Sequence, residues 1–335
     1  MTQPRSFYVD PDTPRLYHIS SRCVRRCWLL GTDPHTGTNY DHRKDILLNR
    51  IKHLSRFFAI KIYAYAIMSN HFHIVLEYNP TEKNSWSDEE VARRWCAAFN
   101  GRNIVDCLNG PTQLEHFDLH QTIRYHNILS DPHAIEKCRK QLGDLSDFMK
   151  YLKQPFSVWI NHEDGCKGTA FEKRFYSGAL LTEEDVMACM AYVDLNPVQA
   201  KMVDSLKAST HTSIHERLTQ ARFNPDKLDA FLAPLWEEDP TTQLSPTDKD
   251  KTHSESEEAS PYQPVDEPHK PAHGRYSALP LRLCTLKTYV KQLNLGIVYT
   301  SHPQADVSDQ FTSWMARLLN RERTKRSQDP AFFEY

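Results

Sequence analysis

Across residues 16–26 the side chains alternate, with Tyr17, Ile19 and Ser21 on one side and His18, Ser20 and Arg22 on the other. A period of two predicts a strand with two unlike faces. Residues 33–39 form a turn-rich loop that includes Pro34 and Gly37. The period then changes: Ile46, Leu47, Ile51, Leu54 and Phe58 recur at helical spacing, which predicts a helix over about residues 41–58. Residues 60–68 and 71–78 read as two strands joined by the short turn Ser69-Asn70. A second helix is expected over residues 88–99, with Val91, Trp95 and Ala98 on one side. Residues 101–133 carry loop signals and several aromatics and read as an insertion. A long helical stretch follows to about residue 160, with an interruption expected near Pro155. Residues 170–181 read as a further strand. Thr182, with Asp185 three residues on, then opens a helix through Val186, Cys189, Met190 and Val193 toward Pro197. This order of elements predicts an α+β fold: a ferredoxin-like antiparallel sheet with helices packed on one face, extended by a helical C-terminal part.

Composition refines that picture. The chain has 335 residues, 39% of them apolar, enough to bury a sizeable core. No apolar run approaches the ~18–20 residues of a membrane span. The N-terminus lacks the basic start and apolar stretch of a signal peptide, so the cytoplasm is expected. Eight cysteines without repeated spacing fit reduced thiols. Residues 237–267 hold ten acids against Lys249 and Lys251; removing that −8 from the chain's net −2 leaves +6 on the remainder. A basic body suits a phosphate-binding surface, though +6 over so long a chain is a weak signal. The same Pro-, Ser-, Thr- and acid-rich composition predicts a disordered linker over residues 236–275. It divides a domain at residues 1–235 from a small helical module at 276–335, with helices expected at 279–298 and 307–326. The second of those ends in a basic run, Arg317, Arg321, Arg323, Lys325 and Arg326.

Two short motifs carry chemistry. In Asn70-His71-Phe72-His73, alternation points both histidines to one face and Phe72 to the other. Imidazoles about 7 Å apart along a strand can meet at one metal. Alone, the pattern describes a polar strand face equally well. The second motif is Tyr192-Val-Asp-Leu-Asn196-Pro197-Val198, where Tyr192 and Asn196 are four apart and share one helix face. Pro197 disfavours helical conformation at Asn196, so the helix is expected to loosen there. A phenol and an amide oxygen on one face can complete a site begun by two histidines, or be a buried tyrosine and a helix terminator.

Together, the Asn70-His71-Phe72-His73 strand and the Tyr192 to Val198 helix resemble the signatures of the REP-associated tyrosine transposases, within the single-tyrosine HUH transposases. The stretch Gly168-Thr-Ala-Phe171-Glu172-Lys173-Arg174-Phe175 resembles the segment that precedes the tyrosine helix in that group, with Phe171 where Trp is frequent. The resemblance covers about residues 10–205. It implies an HUH endonuclease fold and cleavage and joining of single-stranded or hairpin DNA through a covalent 5′-phosphotyrosine. It also implies His71, His73 and Asn196 as ligands of Mg²⁺ or Mn²⁺ and Tyr192 as nucleophile. Monomer and homodimer are both compatible with it. Single-stranded DNA binders combine basic grooves with aromatic stacking. Candidate DNA contacts are therefore Arg22, Arg25 and Arg26 beside Trp28, Arg93 and Arg94 beside Trp95, and Arg174 in the third motif. Two rivals remain open: an inactive domesticated relative that binds DNA hairpins as a regulator, and a zinc hydrolase built on His71 and His73.

Overall fold

The structure is a computed structural model that describes residues 8–101, 103–236, 283–301 and 310–319. Its centre is a four-stranded antiparallel sheet of β1 (Arg15–Arg22), β2 (Ile60–Ile67), β3 (His71–Tyr78) and β4 (Tyr176–Leu180), in the order β2-β3-β1-β4. β1 pairs with β3 along its whole length, from Arg15 opposite Tyr78 to Arg22 opposite His71. Each crossover skips one strand, which is how split βαβ units interleave. β1 stops at Arg22, short of the expected residue 26, because Arg25 and Arg26 adopt positive φ of 54° and 57° in a tight turn. β4 is likewise shorter than the expected 170–181; upstream of it, Phe171 makes a single bridge to Cys23.

The helices are α1 (His42–Ser55), α2 (Asp88–Ala98), α3 (Ile104–Asn109), α4 (Leu119–Leu129), α5 (Pro132–Leu142), α6 (Leu145–Glu163), α7 (Glu183–Gln199), α8 (Ser213–Phe223) and α9 (Leu286–Ser301). The stretch 101–133 thus holds α3, α4 and the start of α5, and Asp118 and Gln121 form a reciprocal capping box at α4. The break expected near Pro155 falls instead at Gly143-Asp144, between α5 and α6. Pro155 lies within α6 and supplies no N–H to the carbonyl of Tyr151, one turn back. The buried Arg50 donates to that carbonyl at 3.3 Å, so the proline is tolerated.

Helices cover both faces of the sheet, not one as expected. Tyr17, Ile19, Phe72, Ile74 and Leu76 join a core with residues of α1, α2, α5 and α6. On the opposite face Leu16, Ala64, Ala66 and Val75 join a second core with residues of α7, α8 and α9. The reason lies in β2 and β3, where both sets of alternating residues include apolar side chains that must leave water. A bulge between Ile62 and Ala64 shifts the register, so that Tyr63 and Ala64 both serve the second core. Small alanines at 64 and 66 allow α7 to lie close over β2 and β3.

The described C-terminal residues share that second core. Leu286, Tyr289, Leu293, Trp314, Met315 and Leu318 are buried with Met190 and Val193 of α7. Residues 313–319 are helical, within the expected 307–326. The acidic stretch 237–275 and Arg321, Arg323, Lys325 and Arg326 lie outside the described residues. Among the described residues no helix is long and apolar enough to cross a membrane.

Candidate active site

On β3, Phe72 turns into the first core and meets Phe171 edge-on at 5.5 Å. Alternation then sends His71 and His73 to the α7 face, with ring centroids 4.9 Å apart and planes at 89°. β1 adds a third imidazole. The register puts Ser20 opposite His73, which makes His18 the diagonal neighbour of His73 on the same face. The rings of His18 and His73 stack at 5.1 Å and 25°, and His18 Nε2 lies 2.9 Å from His73 Nδ1. Tyr192 closes over both, its ring 5.5 Å from His73 and 5.9 Å from His18. Tyr176 of β4 stands 5.6 Å from His18 on its outer side and is exposed.

The rotation of α7 explains why Tyr192 faces the histidines. Thr182 caps the helix, accepting from the Asp185 N–H at 3.1 Å. Two residues after Tyr192, Asp194 is fully buried and accepts from Ser213 Oγ at 2.6 Å, Ile214 N at 2.9 Å and Tyr289 Oη at 2.8 Å. Burial pushes its carboxyl up to about 6. Two helical residues are separated by about 200° around the axis. Anchoring Asp194 toward α8 and α9 therefore directs Tyr192 the other way, to the sheet's polar edge. The helix does not loosen at Asn196: it continues through Pro197 to Gln199, keeping Asn196 one turn beyond Tyr192 on the same face and half-buried.

A cavity of about 930 Å³ opens beside Tyr192, between β1, β4, α7 and the segment 313–319. His18, His73, Tyr176 and Tyr192 line it, with Arg22, Arg174, Arg317, Glu172 and Asp185 as charged members. Arg317 is held by Asp185 at 2.9 Å. Neither His71 nor Asn196 is part of this lining. Of the arginines singled out from sequence, the fold brings Arg22 and Arg174 to Tyr192. Arg25 and Arg26 sit exposed on the turn after β1. Arg93 and Arg94 lie elsewhere, on α2, where both bind Glu90 at 2.6–2.7 Å and Arg94 stacks over Trp86 at 4.3 Å. They border a different groove, with Trp236.

The imidazoles suit metal ligation in their donor chemistry. Burial, with Arg22 nearby, lowers the His71 pKa to about 4, so the ring is neutral near pH 7. Its Nδ1 lies 2.6 Å from the Asn70 amide oxygen, which makes Nδ1 the donor and Nε2 the lone-pair nitrogen. His73 has its Nδ1 engaged by His18. Metal-binding histidines characteristically have the second nitrogen held in this way. Among the described residues no group of three or more His, Cys, Asp or Glu side chains is arranged around a common cation position. A site here therefore needs an oxygen donor of another type, such as the Asn196 amide.

Sequence reading overlooked His18, Tyr176 as a cavity residue, and Asp194. His18 carried a signal, since it shares a strand face with Ser20 and Arg22, but its partner depended on the β1–β3 register.

No family model matches the chain, and no curated protein matches it. Among solved structures, a REP-associated tyrosine transposase bound to a REP hairpin is similar at 14% identity and a TM-score of 0.38, over 75% of this chain and 100% of that chain. A TM-score of this size carries no inference about chemistry, which rests on the chain's own geometry.

Proposed function

We propose that this protein is a metal-dependent endonuclease and strand transferase of single-stranded or hairpin DNA, with Tyr192 as nucleophile. The observation that carries the reading is the placement of the Tyr192 ring against His73 and His18, at a cavity whose charged lining includes Arg22 and Arg174. The motif resemblance agrees with it. His71 and His73, with Asn196 as oxygen donor, would hold Mg²⁺ or Mn²⁺. When bound, such a cation neutralises phosphate charge and stabilises a departing oxygen.

The chain's own residues do the rest. Arg22 and Arg174 draw the phosphodiester backbone into the cavity. Tyr176, exposed at the rim, offers a face on which a base can stack. Tyr192 loses its proton, and its oxygen forms a new bond to phosphorus as the bond from phosphorus to the 3′-oxygen breaks. One fragment leaves as a 3′-hydroxyl and the other stays as a 5′-phosphotyrosine ester. One phosphoester replaces another, so a 3′-hydroxyl can reverse the step and rejoin the strand.

The test uses a 3′-labelled hairpin with single-stranded flanks, Mn²⁺ and a denaturing gel. Label should travel with the wild-type chain, map to Tyr192, and vanish in Tyr192→Phe while hairpin binding persists. Cleavage by Tyr192→Phe at the wild-type rate, or an adduct on Tyr176, would overturn the reading. Binding without any cleavage would favour the inactive regulator.

A further inference from the structure

We propose that His18 is a positioning residue: it accepts the Nδ1–H of His73 and so holds that ring with Nε2 as its lone-pair nitrogen. The inference rests on the metal-dependent reading above and goes beyond it by assigning a residue that the motifs do not contain.

One contact between two ring nitrogens carries the case, and the metal-dependent reading sets its direction. His18 Nε2 and His73 Nδ1 lie 2.9 Å apart. Between two neutral imidazoles, one nitrogen must donate and the other accept. Were His18 the donor, His73 would carry its own proton on Nε2 and have no lone pair there for a cation. With His73 as donor, its Nε2 is a ligand nitrogen. Asn70 does the same for His71 at 2.6 Å, where the amide oxygen can only accept. Both rings then present the same nitrogen, one set by an amide and the other by His18.

His18 is also held firmly enough to impose an orientation. Its ring stacks on His73 at 25° and is flanked edge-on by Tyr176 and Tyr192 at 5.6 and 5.9 Å. Its backbone is locked in the ladder, opposite Val75 on one side and Gly178 on the other. Gly178 matters here. A Cβ on it would come within 2.5 Å of the Tyr176 hydroxyl, so its bare backbone is what lets Tyr176 lie across β4 beside His18.

The test reads the His73 tautomer by nitrogen-15 NMR of the metal-free full chain, with the signal assigned by its loss in His73→Gln. It also measures Mn²⁺ affinity by electron paramagnetic resonance. Wild type should show His73 protonated on Nδ1. His18→Phe keeps a ring but cannot accept, and should shift the tautomer and weaken Mn²⁺ binding by about 10–100-fold, the range for loss of a ligand's supporting hydrogen bond. His18→Gln, with an amide oxygen able to accept, should retain most of the affinity. Circular dichroism checks that each variant is folded; if His18→Phe is not, the wild-type tautomer and His18→Gln decide. His73 protonated on Nε2 in wild type, or Mn²⁺ affinity unchanged in folded His18→Phe, would overturn the inference alone. A wild type that fails to bind Mn²⁺ but shows the Nδ1–H tautomer, altered in His18→Phe, would support the positioning role and sink the metal reading instead.

Discussion

The two faces of the sheet are made from the same strands and differ in what covers them. On one, Phe72, Ile74 and Leu76 meet α1 and α6 in a closed apolar core. On the other, Val75 lies under α7, while toward the other end of β3 His73, with His71 beside it, meets His18 and Tyr192 at an open cavity. One residue of register separates Phe72, packed in the core, from His73, which lines the cavity. The contrast teaches that the polar end of the second face is tolerated because the rest of that face is buried by α7, α8 and α9.

The sharpest test of this contrast changes adjacent residues. His73→Ala is expected to abolish adduct formation while lowering the urea unfolding midpoint less than Phe72→Ala does. Phe72→Ala is expected to lose about 3–5 kcal/mol of stability, the range for a large aromatic removed from a packed core. If His73→Ala proved the more destabilising of the two, the division of labour between the faces would be wrong.

Next in size is Asp194→Ala. It would leave the Ser213 and Tyr289 hydroxyls and the Ile214 N–H without their acceptor in a buried site. Unsatisfied buried donors cost roughly 1–3 kcal/mol each, so a stability loss of several kcal/mol is expected, together with reduced cleavage as α7 loses its fixed rotation. Stability near wild type in chemical denaturation would show that α7 is oriented by other contacts.

A smaller effect distinguishes the closed face by pH. His53 is buried, bonded to the Ala98 carbonyl at 3.1 Å, and its pKa is lowered by burial to about 4. A depressed folded pKa means that its contribution is fully present above its ordinary value near 6.5 and is lost as pH falls from there through about 4. The unfolding midpoint of wild type should therefore fall more between pH 7 and pH 5 than that of His53→Gln, which keeps a donor but does not titrate. Equal falls would remove His53 as a cause.

The smallest expected changes separate the two arginine sets. Arg22→Ala and Arg174→Ala should each weaken hairpin binding and lower its salt slope by about 1, the signature of one lost phosphate contact. Arg94→Ala should leave that slope unchanged, because its guanidinium is committed to Glu90 and Trp86. Equal slopes in fluorescence anisotropy titrations would erase the distinction.

Much of this was readable from local pattern. Alternation in residues 71–78 assigned Phe72 and the two histidines to opposite faces, and those faces are observed. Thr182 and Asp185 marked the start of the tyrosine helix, which begins there. Two proline rules misled for the same reason. Both are local rules, one for a lost backbone bond at Pro155 and one for a steric restriction on Asn196, and neither sees the tertiary setting, such as the Arg50 side chain that donates to the Tyr151 carbonyl.

Periodicity and capping act over a few residues, and so the chain's own order of side chains was enough to specify β2, β3, α2 and the start of α7. Long-range packing settled everything that joins distant segments. The β1–β3 register brought His18 to His73 across 55 positions, and the Asp194 anchor turned Tyr192 toward both. The choice of face for α7 followed from where the remaining apolar surface of the sheet had to be buried. Such contacts depend on cross-strand pairing and on which surfaces exclude water together, and no window of neighbouring residues contains that information.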